Sequence, residues 1–184
     1  MALIRLNNQS ISSVTALPSG VGGKILQVQS TFIDTHFTQS ITGNTATALN
    51  NLTVDITPSS ASSKIMILGR LFCEPSTTDQ QNSGIFFFRD STKIRTHDSA
   101  SVGSRNDMMV SLSTNYTAQD ANSTPETFNG FTIDSPSSTS QITYKIGYIN
   151  GQSCTLNVNR VVSSTNSSIY EAGSSEIIVM EIGA

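Results

Sequence analysis

Short runs in which apolar and polar residues alternate fill the chain from residue 24 onward, and stretches of Ser, Thr, Asn and Gly separate them. An alternation with a period of two places the apolar side chains on one face of a β-strand. The clearest run lies late in the chain, where Ile142, Tyr144, Ile146 and Tyr148 share one face. The pattern therefore predicts an all-β domain.

A turn signal follows this run directly. Asn150-Gly151 precedes a second alternating run that contains Cys154, Leu156 and Val158. Asn-Gly is the strongest short hairpin signal, because both central positions of the turn need a positive φ. The sequence predicts that the two runs form a β-hairpin.

The remaining strands are predicted with the same logic. They fall at residues 24–37, 52–56, 64–72, 85–88, 92–95, 108–112, 127–133 and 177–182. The run 64–72 is apolar on both faces, which indicates a central buried strand. Helical signals are nearly absent, and residues 46–52 are the one candidate for a helical turn. About ten strands at this spacing predict a jelly-roll-like antiparallel β-sandwich, with a hairpin through Arg89-Asp90-Ser91.

The first residues do not share the alternation. We therefore divide the chain into an N-terminal docking arm with a glycine hinge, residues 1–23, and a β-sandwich domain, residues 24–184. An extended segment with spaced apolar residues can add to a sheet edge of a neighbour, and twenty residues reach at most about 70 Å. A disordered tail is the alternative interpretation. The candidate docking residues are Leu3, Arg5, Leu6, Asn7, Asn8, Ile11 and Val14.

The composition narrows the classes of partner. Ser and Thr make up more than a quarter of the chain, charged residues make up 12%, and the net charge is -3. The Lys and Arg residues are scattered, whereas a nucleic-acid binder needs a basic patch. No apolar run approaches a signal-peptide core or a membrane span. We expect no nucleic-acid partner and no membrane insertion.

The histidines do not form a recognisable catalytic or metal site. Asp34 and His36 share a strand face, and His97 and Asp98 are adjacent, but neither pair has a third partner at a known spacing. No nucleophile elbow, phosphate-binding loop or Cys-x-x-Cys pair occurs. The sequence therefore predicts no metal and no cofactor.

The carboxylates and the cysteines also do not indicate an active site. Glu171, Glu176 and Glu181 lie close together in the sequence, but glycoside hydrolysis needs two acids that converge across a cleft. Cys73 and Cys154 are interpreted as two half-buried thiols, with a disulfide as the alternative. We predict that the protein is not an enzyme, and a hydrolase remains the third hypothesis.

Three consecutive aromatic residues, Phe86, Phe87 and Phe88, must place at least one ring on the face opposite the other two. Either both faces are covered, or a ring is exposed at a subunit contact or as a ligand platform. The candidate subunit or ligand contacts are Phe86, Phe88, Tyr116 and Tyr170.

Several stretches, in order along the chain, resemble virion structural proteins of tailed phages of marine bacteria, cyanophages above all. The stretches are residues 3–10, 14–20, 23–28, 56–60, 63–65, 89–92, 134–136, 143–145 and 176–183. Members of this family are described as tail-fibre-like or as unassigned structural proteins. The resemblance implies a virion exterior location after synthesis in the host bacterial cytoplasm, contacts with capsid or tail subunits, and a homotrimer.

In that family a spacer often separates the arm from the β-domain, and here it is almost missing. The short arm favours a non-enzymatic structural protein close to its mount, such as a head decoration or a collar or tail-fibre subunit. The alternative is a receptor-binding adhesin of the tail fibre, with loops such as residues 113–126 contacting host surface glycans.

Overall fold

The computed structural model describes residues 24–77, 82–94, 105–111 and 123–183, and these residues contain strands and no helix. The eleven strands are β1 (Ile25–Ile33), β2 (Phe37–Ile41), β3 (Thr47–Ile56), β4 (Lys64–Pro75), β5 (Gly84–Arg89), β6 (Thr92–Ile94), β7 (Val110–Ser111), β8 (Glu126–Asp134), β9 (Ile142–Ile149), β10 (Cys154–Val158) and β11 (Ser175–Ile182).

The strands form two antiparallel sheets. Sheet A has the order β1-β11-β4-β10-β2, with β8 on the free side of β4, and sheet B has the order β3-β9-β5-β6, with β7 also on β5. In sheet A, β11 and β10 pair with successive parts of β4, while β1 and β2 pair with β11 and β10. Sheet A is therefore four strands wide, and two of its positions are split into two strands.

The strand order is that of a jelly roll. With β1 and β2 counted as one position, β10 and β11 as another, and β6 and β7, which both pair with β5, as a third, eight positions remain. When the eight positions are numbered by their order along the chain, they lie side by side as 1-8-3-6 in sheet A and as 2-7-4-5 in sheet B. This is the double-sheet arrangement of two Greek keys. The predicted all-β jelly-roll sandwich is confirmed, with eleven strands.

The core lies between the inner faces of the two sheets. Alternate residues of β4 point inward, so that Ile65, Ile67 and Leu71 are fully buried. The sheets approach closely at Gly69, where an added Cβ atom would lie 2.7 Å from Cε1 of Phe87. The period-two pattern thus places the predicted apolar faces in one shared core.

The hairpin predicted at Asn150-Gly151 is wrong. β9 pairs with β3 and β5 in sheet B, whereas β10 pairs with β4 and β2 in sheet A. The turn therefore crosses from one sheet to the other. Asn150 is buried, and its Nδ2 donates to Ser83 Oγ at 2.8 Å, while its Oδ1 accepts from the backbone N–H of Gln152 at 2.8 Å. A strand whose apolar side chains face the core has the same alternating pattern whether the following strand pairs in the same sheet or in the facing sheet. The sequence pattern therefore does not distinguish a hairpin from a crossing between the sheets.

Three further predictions change in detail. The predicted strand 24–37 is broken between β1 and β2, and residues 46–52 contribute to β3 rather than to a helical turn. Strand β4 is central, but its outer face is only half-buried at Met66, Leu68 and Phe72. The hairpin between β5 and β6 is confirmed, with Arg89 opposite Thr92 and a positive φ of 54° at Asp90.

Candidate interaction surface on the outer face of sheet A

One half of the outer face of sheet A is covered by the chain itself. Glu74 lies on this face of β4 and is fully buried. Its Oε1 accepts from the backbone N–H and the hydroxyl of Thr124 at 2.8 and 3.0 Å, and its Oε2 accepts from the backbone N–H of Val162 at 2.6 Å. These bonds hold the segments around residues 124 and 162 over this end of the sheet.

A buried polar junction marks the border of the covered half. Asn159 donates from Nδ2 to the carbonyls of Ile33 and Thr35 at 2.9 and 3.1 Å, and its Oδ1 accepts from Ser175 Oγ at 2.6 Å. Ser175 Oγ in turn accepts from the backbone N–H of Phe72 at 3.0 Å. The junction joins the break between β10 and β11 to the break between β1 and β2.

The other half of this face is uncovered by the described residues, and we call it the open face. It spans four strands in three level rows, which follow from the pairing register. The rows are Val28, Met180, Met66 and Ile133; Ser30, Ile178, Leu68 and Phe131; and Phe32, Glu176, Arg70 and Asn129.

The open face is unusually apolar for a sheet face without a covering layer. Phe131 is 76% exposed, Phe32 56%, Ile133 52% and Val28 51%. Outer faces of antiparallel sheets are commonly polar, since they meet water. At 150–250 Å² for each aromatic side chain, the two rings alone leave roughly 250 Å² open. Apolar patches of a few hundred Å² mark interaction sites.

A shallow groove of 410 Å³ runs along one end of the open face. Leu68, Ile178 and Phe131 form its apolar wall, and Arg70, Asn129 and Glu176 supply its polar groups. Arg70 Nη2 donates to Ser174 Oγ at 2.8 Å. The groove thus combines an exposed ring with one charge of each sign.

The aromatic candidates on β5 lie elsewhere. Phe86 and Phe88 share the outer face of sheet B, where their rings meet edge to face at 5.3 Å between centroids. Phe86 is 1% exposed and has Lys93 Nζ 4.5 Å from its ring centroid, while Phe88 is half-buried. Phe87 points into the core. The covered alternative therefore describes Phe86, and its ring offers no open ligand platform.

The other predicted candidates are separated from the open face or lie outside the described residues. The docking-arm residues, Tyr116 and His97 fall outside the described ranges. Tyr170 is half-buried in the segment between β10 and β11. His36 Nε2 lies 3.3 Å from Asn157 Oδ1. The sequence does not reveal the open face, because the doubly apolar pattern of 64–72 indicates burial on both sides.

The carboxylates near the C-terminus do not converge on one cleft. Glu176 and Glu181 are an odd number of residues apart on β11, so they lie on opposite faces of sheet A. Glu176 belongs to the open face, Glu181 is buried in the interior, and Glu171 is exposed before the strand. The acid pair needed for glycoside hydrolysis is not formed by these three residues.

The two cysteines are free thiols that the sheet register keeps apart. Cys73 is opposite Val158, so Cys154 is displaced by four residues, about 13 Å along the strand. A disulfide needs Cα atoms within about 7 Å. Burial raises the pKa of the Cys73 thiol well above its usual value, and Glu126 raises it further. The disulfide alternative is therefore excluded in this structure.

Glu126, at the start of β8, is a buried carboxyl. It stands opposite Cys73 across the β4–β8 pairing, is nearly fully buried, and its Oε1 has no hydrogen-bond partner among the described residues. Burial raises the pKa of Glu126 from 4.5 to about 7. A carboxyl with this pKa is mostly protonated at pH 5 and about half ionised near pH 7.

Within the described ranges, no group of three or more His, Cys, Asp or Glu side chains is arranged to hold a metal ion. The same residues contain no helix long and apolar enough to cross a membrane. A scan against protein-family models finds no matching family, and a search of curated proteins finds no match.

Proposed function

We propose that this protein is a non-enzymatic structural protein on the exterior of a tailed-phage virion, attached through residues 1–23. It is a head decoration, or a collar or tail-fibre subunit close to its mount, and it assembles as a homotrimer after synthesis in the host cytoplasm. The ordered sequence resemblance to phage structural proteins supports this role. Jelly rolls occur in viral capsid domains, although a fold alone does not decide function.

The observation that carries the proposal is the open face. Four strongly exposed apolar side chains on β1 and β8, the two outer strands of this face, are unfavourable in a lone soluble protein. A subunit of an assembly removes such a surface from water by packing it against another protein. The described residues bring no set of catalytic groups together on this face, since its charged side chains are limited to Arg70 and Glu176.

The geometry at the start of the sandwich supports attachment by the arm. The carbonyl of Lys24 accepts a hydrogen bond from the backbone N–H of Gly183 at 2.8 Å, and β1 starts at the next residue. β1 is an edge strand of sheet A. A segment of 23 residues reaches at most about 80 Å, which spans a neighbouring subunit and no more. The arm therefore suits a short attachment.

Deletion of residues 1–20 tests the attachment. We expect the shortened protein to keep its β-sheet circular dichroism and its unfolding temperature, and to be absent from purified phage particles. The full chain with Ile169→Ser is a matched control, because it changes an exposed residue of the sandwich and leaves the arm intact. Incorporation of the shortened protein at the level of the full chain would rule out docking through the arm.

A second candidate function, a tail-fibre adhesin that contacts host surface glycans, is favoured by the groove on the open face. The ring of Phe131 can stack on a sugar, while Arg70 and Asn129 can bond its hydroxyls. Retention of the protein on immobilised host polysaccharide, lost in Asn129→Ala and Phe131→Ser, would support this role. Passage through the column without delay would exclude it.

A further inference from the structure

We infer that the open face is the surface through which copies of this chain contact one another, around an axis parallel to the strands of sheet A. The inference rests on the proposed role as a subunit of an assembly. That role includes a homotrimer but does not say which surface forms its interface. The three rows of the open face and the positions of its two charged side chains support this interface.

The charges lie side by side in one row. Glu176 on β11 is directly opposite Arg70 on β4, and the other two rows carry no charged side chain. The face therefore divides into a half with Glu176, formed by β1 and β11, and a half with Arg70, formed by β4 and β8. Each half complements the other in charge.

An axis parallel to the strands keeps the rows level between neighbouring copies. The half with Arg70 in one copy then meets the half with Glu176 in the next. Arg70 approaches Glu176 of the neighbour, Leu68 and Phe131 pack on Ile178, and Ile133 packs on Val28. Met66 also lies level with Met180, whereas Phe131 lies level with Ser30 and Asn129 with Phe32, so the chemical match is closest between β4 of one copy and β11 of the next. A cyclic assembly repeats this contact between neighbouring subunits.

An axis perpendicular to the strands gives a poorer contact. It reverses the order of the rows, so that Arg70 and Glu176 face Met66 and Met180 of the neighbour. Burial of an unpaired charge against apolar side chains is strongly unfavourable. The positions of Arg70 and Glu176 therefore favour the parallel axis over a perpendicular axis through the middle row, and they fix the register of the contact.

The extent of the open face fits the centre of such an interface. Four strands spaced by about 4.8 Å and three rows spaced by about 7 Å cover a few hundred Å². A standard interface buries about 800 Å² on each partner, with an apolar centre and a polar rim. The apolar rows supply the centre, and the exposed Lys64, which lies one row beyond Met66 on β4, adds a charged side chain at the rim.

The mass of the purified full chain in solution, measured by light scattering over a range of concentrations, tests the inference. We expect three times the chain mass of 19.6 kDa, and a dimer formed by the same face also agrees. Phe131→Ser should raise the dissociation constant of the assembly by roughly 30-fold. Ile169→Ser is the control, because Ile169 is 72% exposed on another segment and should leave the mass unchanged.

A mixing experiment separates contacts between copies from effects within one copy. Arg70→Glu and Glu176→Arg each place like charges across the proposed contact, so each variant alone should dissociate. When the two variants are mixed, opposite charges meet again in both contacts of a dimer and in two of the three contacts of a trimer. We expect the mixture to recover the assembly, with both variants folded as judged by their unfolding temperatures.

A monomeric wild-type chain at every concentration overturns the inference, as does a mixture that stays dissociated. Loss of polysaccharide retention in Phe131→Ser, together with a monomeric wild type, assigns the face to a glycan instead. An assembly that forms in solution but never enters phage particles leaves the inference standing and contradicts the virion role. Failure of the proposed interface and failure of the proposed virion role therefore give different results.

Discussion

The carboxylate of Glu181 accepts two hydrogen bonds from Ser59, one from its backbone N–H and one from its hydroxyl, both at 2.7 Å. Gln27 Nε2 donates to the other carboxylate oxygen at 2.7 Å. Glu181 is fully buried on β11, so these bonds tie β1 and the loop after β3 to the last strand. Burial alone would raise the pKa of Glu181, but the hydrogen bonds outweigh it and lower the pKa to about 2.

Glu181→Gln should destabilise the fold by about 2–3 kcal/mol at pH 7. The neutral amide replaces a charged acceptor, and its NH2 group would face the hydrogen-bond donors of Ser59 or Gln27. The folded pKa of about 2 lies below the ordinary value of 4.5. The stabilisation is therefore present above pH 4.5 and is lost as the pH falls toward 2. Urea unfolding across this range should show a smaller acid loss in the variant, with the exposed Glu171→Gln as control.

Glu126 should give the opposite dependence on pH. Its folded pKa of about 7 is raised above the ordinary value of 4.5 by burial. The protein is therefore most stable with respect to this group below pH 4.5, and that stability is lost as the pH rises through 7. Glu126→Gln should raise the unfolding temperature at pH 8 and have little effect at pH 5. Equal effects at both pH values would contradict the raised pKa.

Gly147 provides the space for the aromatic pair on the outer face of sheet B. An added Cβ atom would lie 2.4 Å from Cε2 of Phe86 and 2.8 Å from Cε2 of Phe88. Gly147→Ala should therefore destabilise the protein by about 1–3 kcal/mol through overpacking. Gly183→Ala is the matched control, since its nearest neighbour is Leu26 Cδ1 at 3.3 Å. Chemical denaturation of both variants measures the difference.

Asn159 combines a positive φ of 65° with three side-chain hydrogen bonds. Asn159→Gly removes the bonds but keeps a residue suited to this backbone conformation, whereas Asn159→Ala removes both features. We expect both variants to be destabilised, and Ala by about 1 kcal/mol more than Gly. Equal stability of the two variants in urea unfolding would show that the backbone conformation contributes nothing.

Much of the fold follows from the sequence because side-chain alternation is a local property. The faces of Tyr144 and Ile146 and the turn at Asp90 were predictable, since a strand and its tight turn involve few residues. The partner of a strand is not local. Asn150-Gly151 lies between two strands of different sheets, and its buried amide bond to Ser83 depends on residues distant in sequence.

The open face was harder to predict than the core. On β8, Gly130 points inward while Phe131 and Ile133 point outward, so residue size gives the wrong face for that strand. Only the pairing register brings these side chains beside Leu68 and Ile178. The sequence indicated apolar residues on both faces of several strands, and the structure is needed to show which face lacks a cover.

The most direct measurement is a map of intact phage particles in which this protein carries a label at Ala184. The proposed role predicts labelled density on the particle exterior, in clusters of copies whose open faces turn toward one another. Particles without label, or isolated single copies with the open face toward solvent, would contradict it.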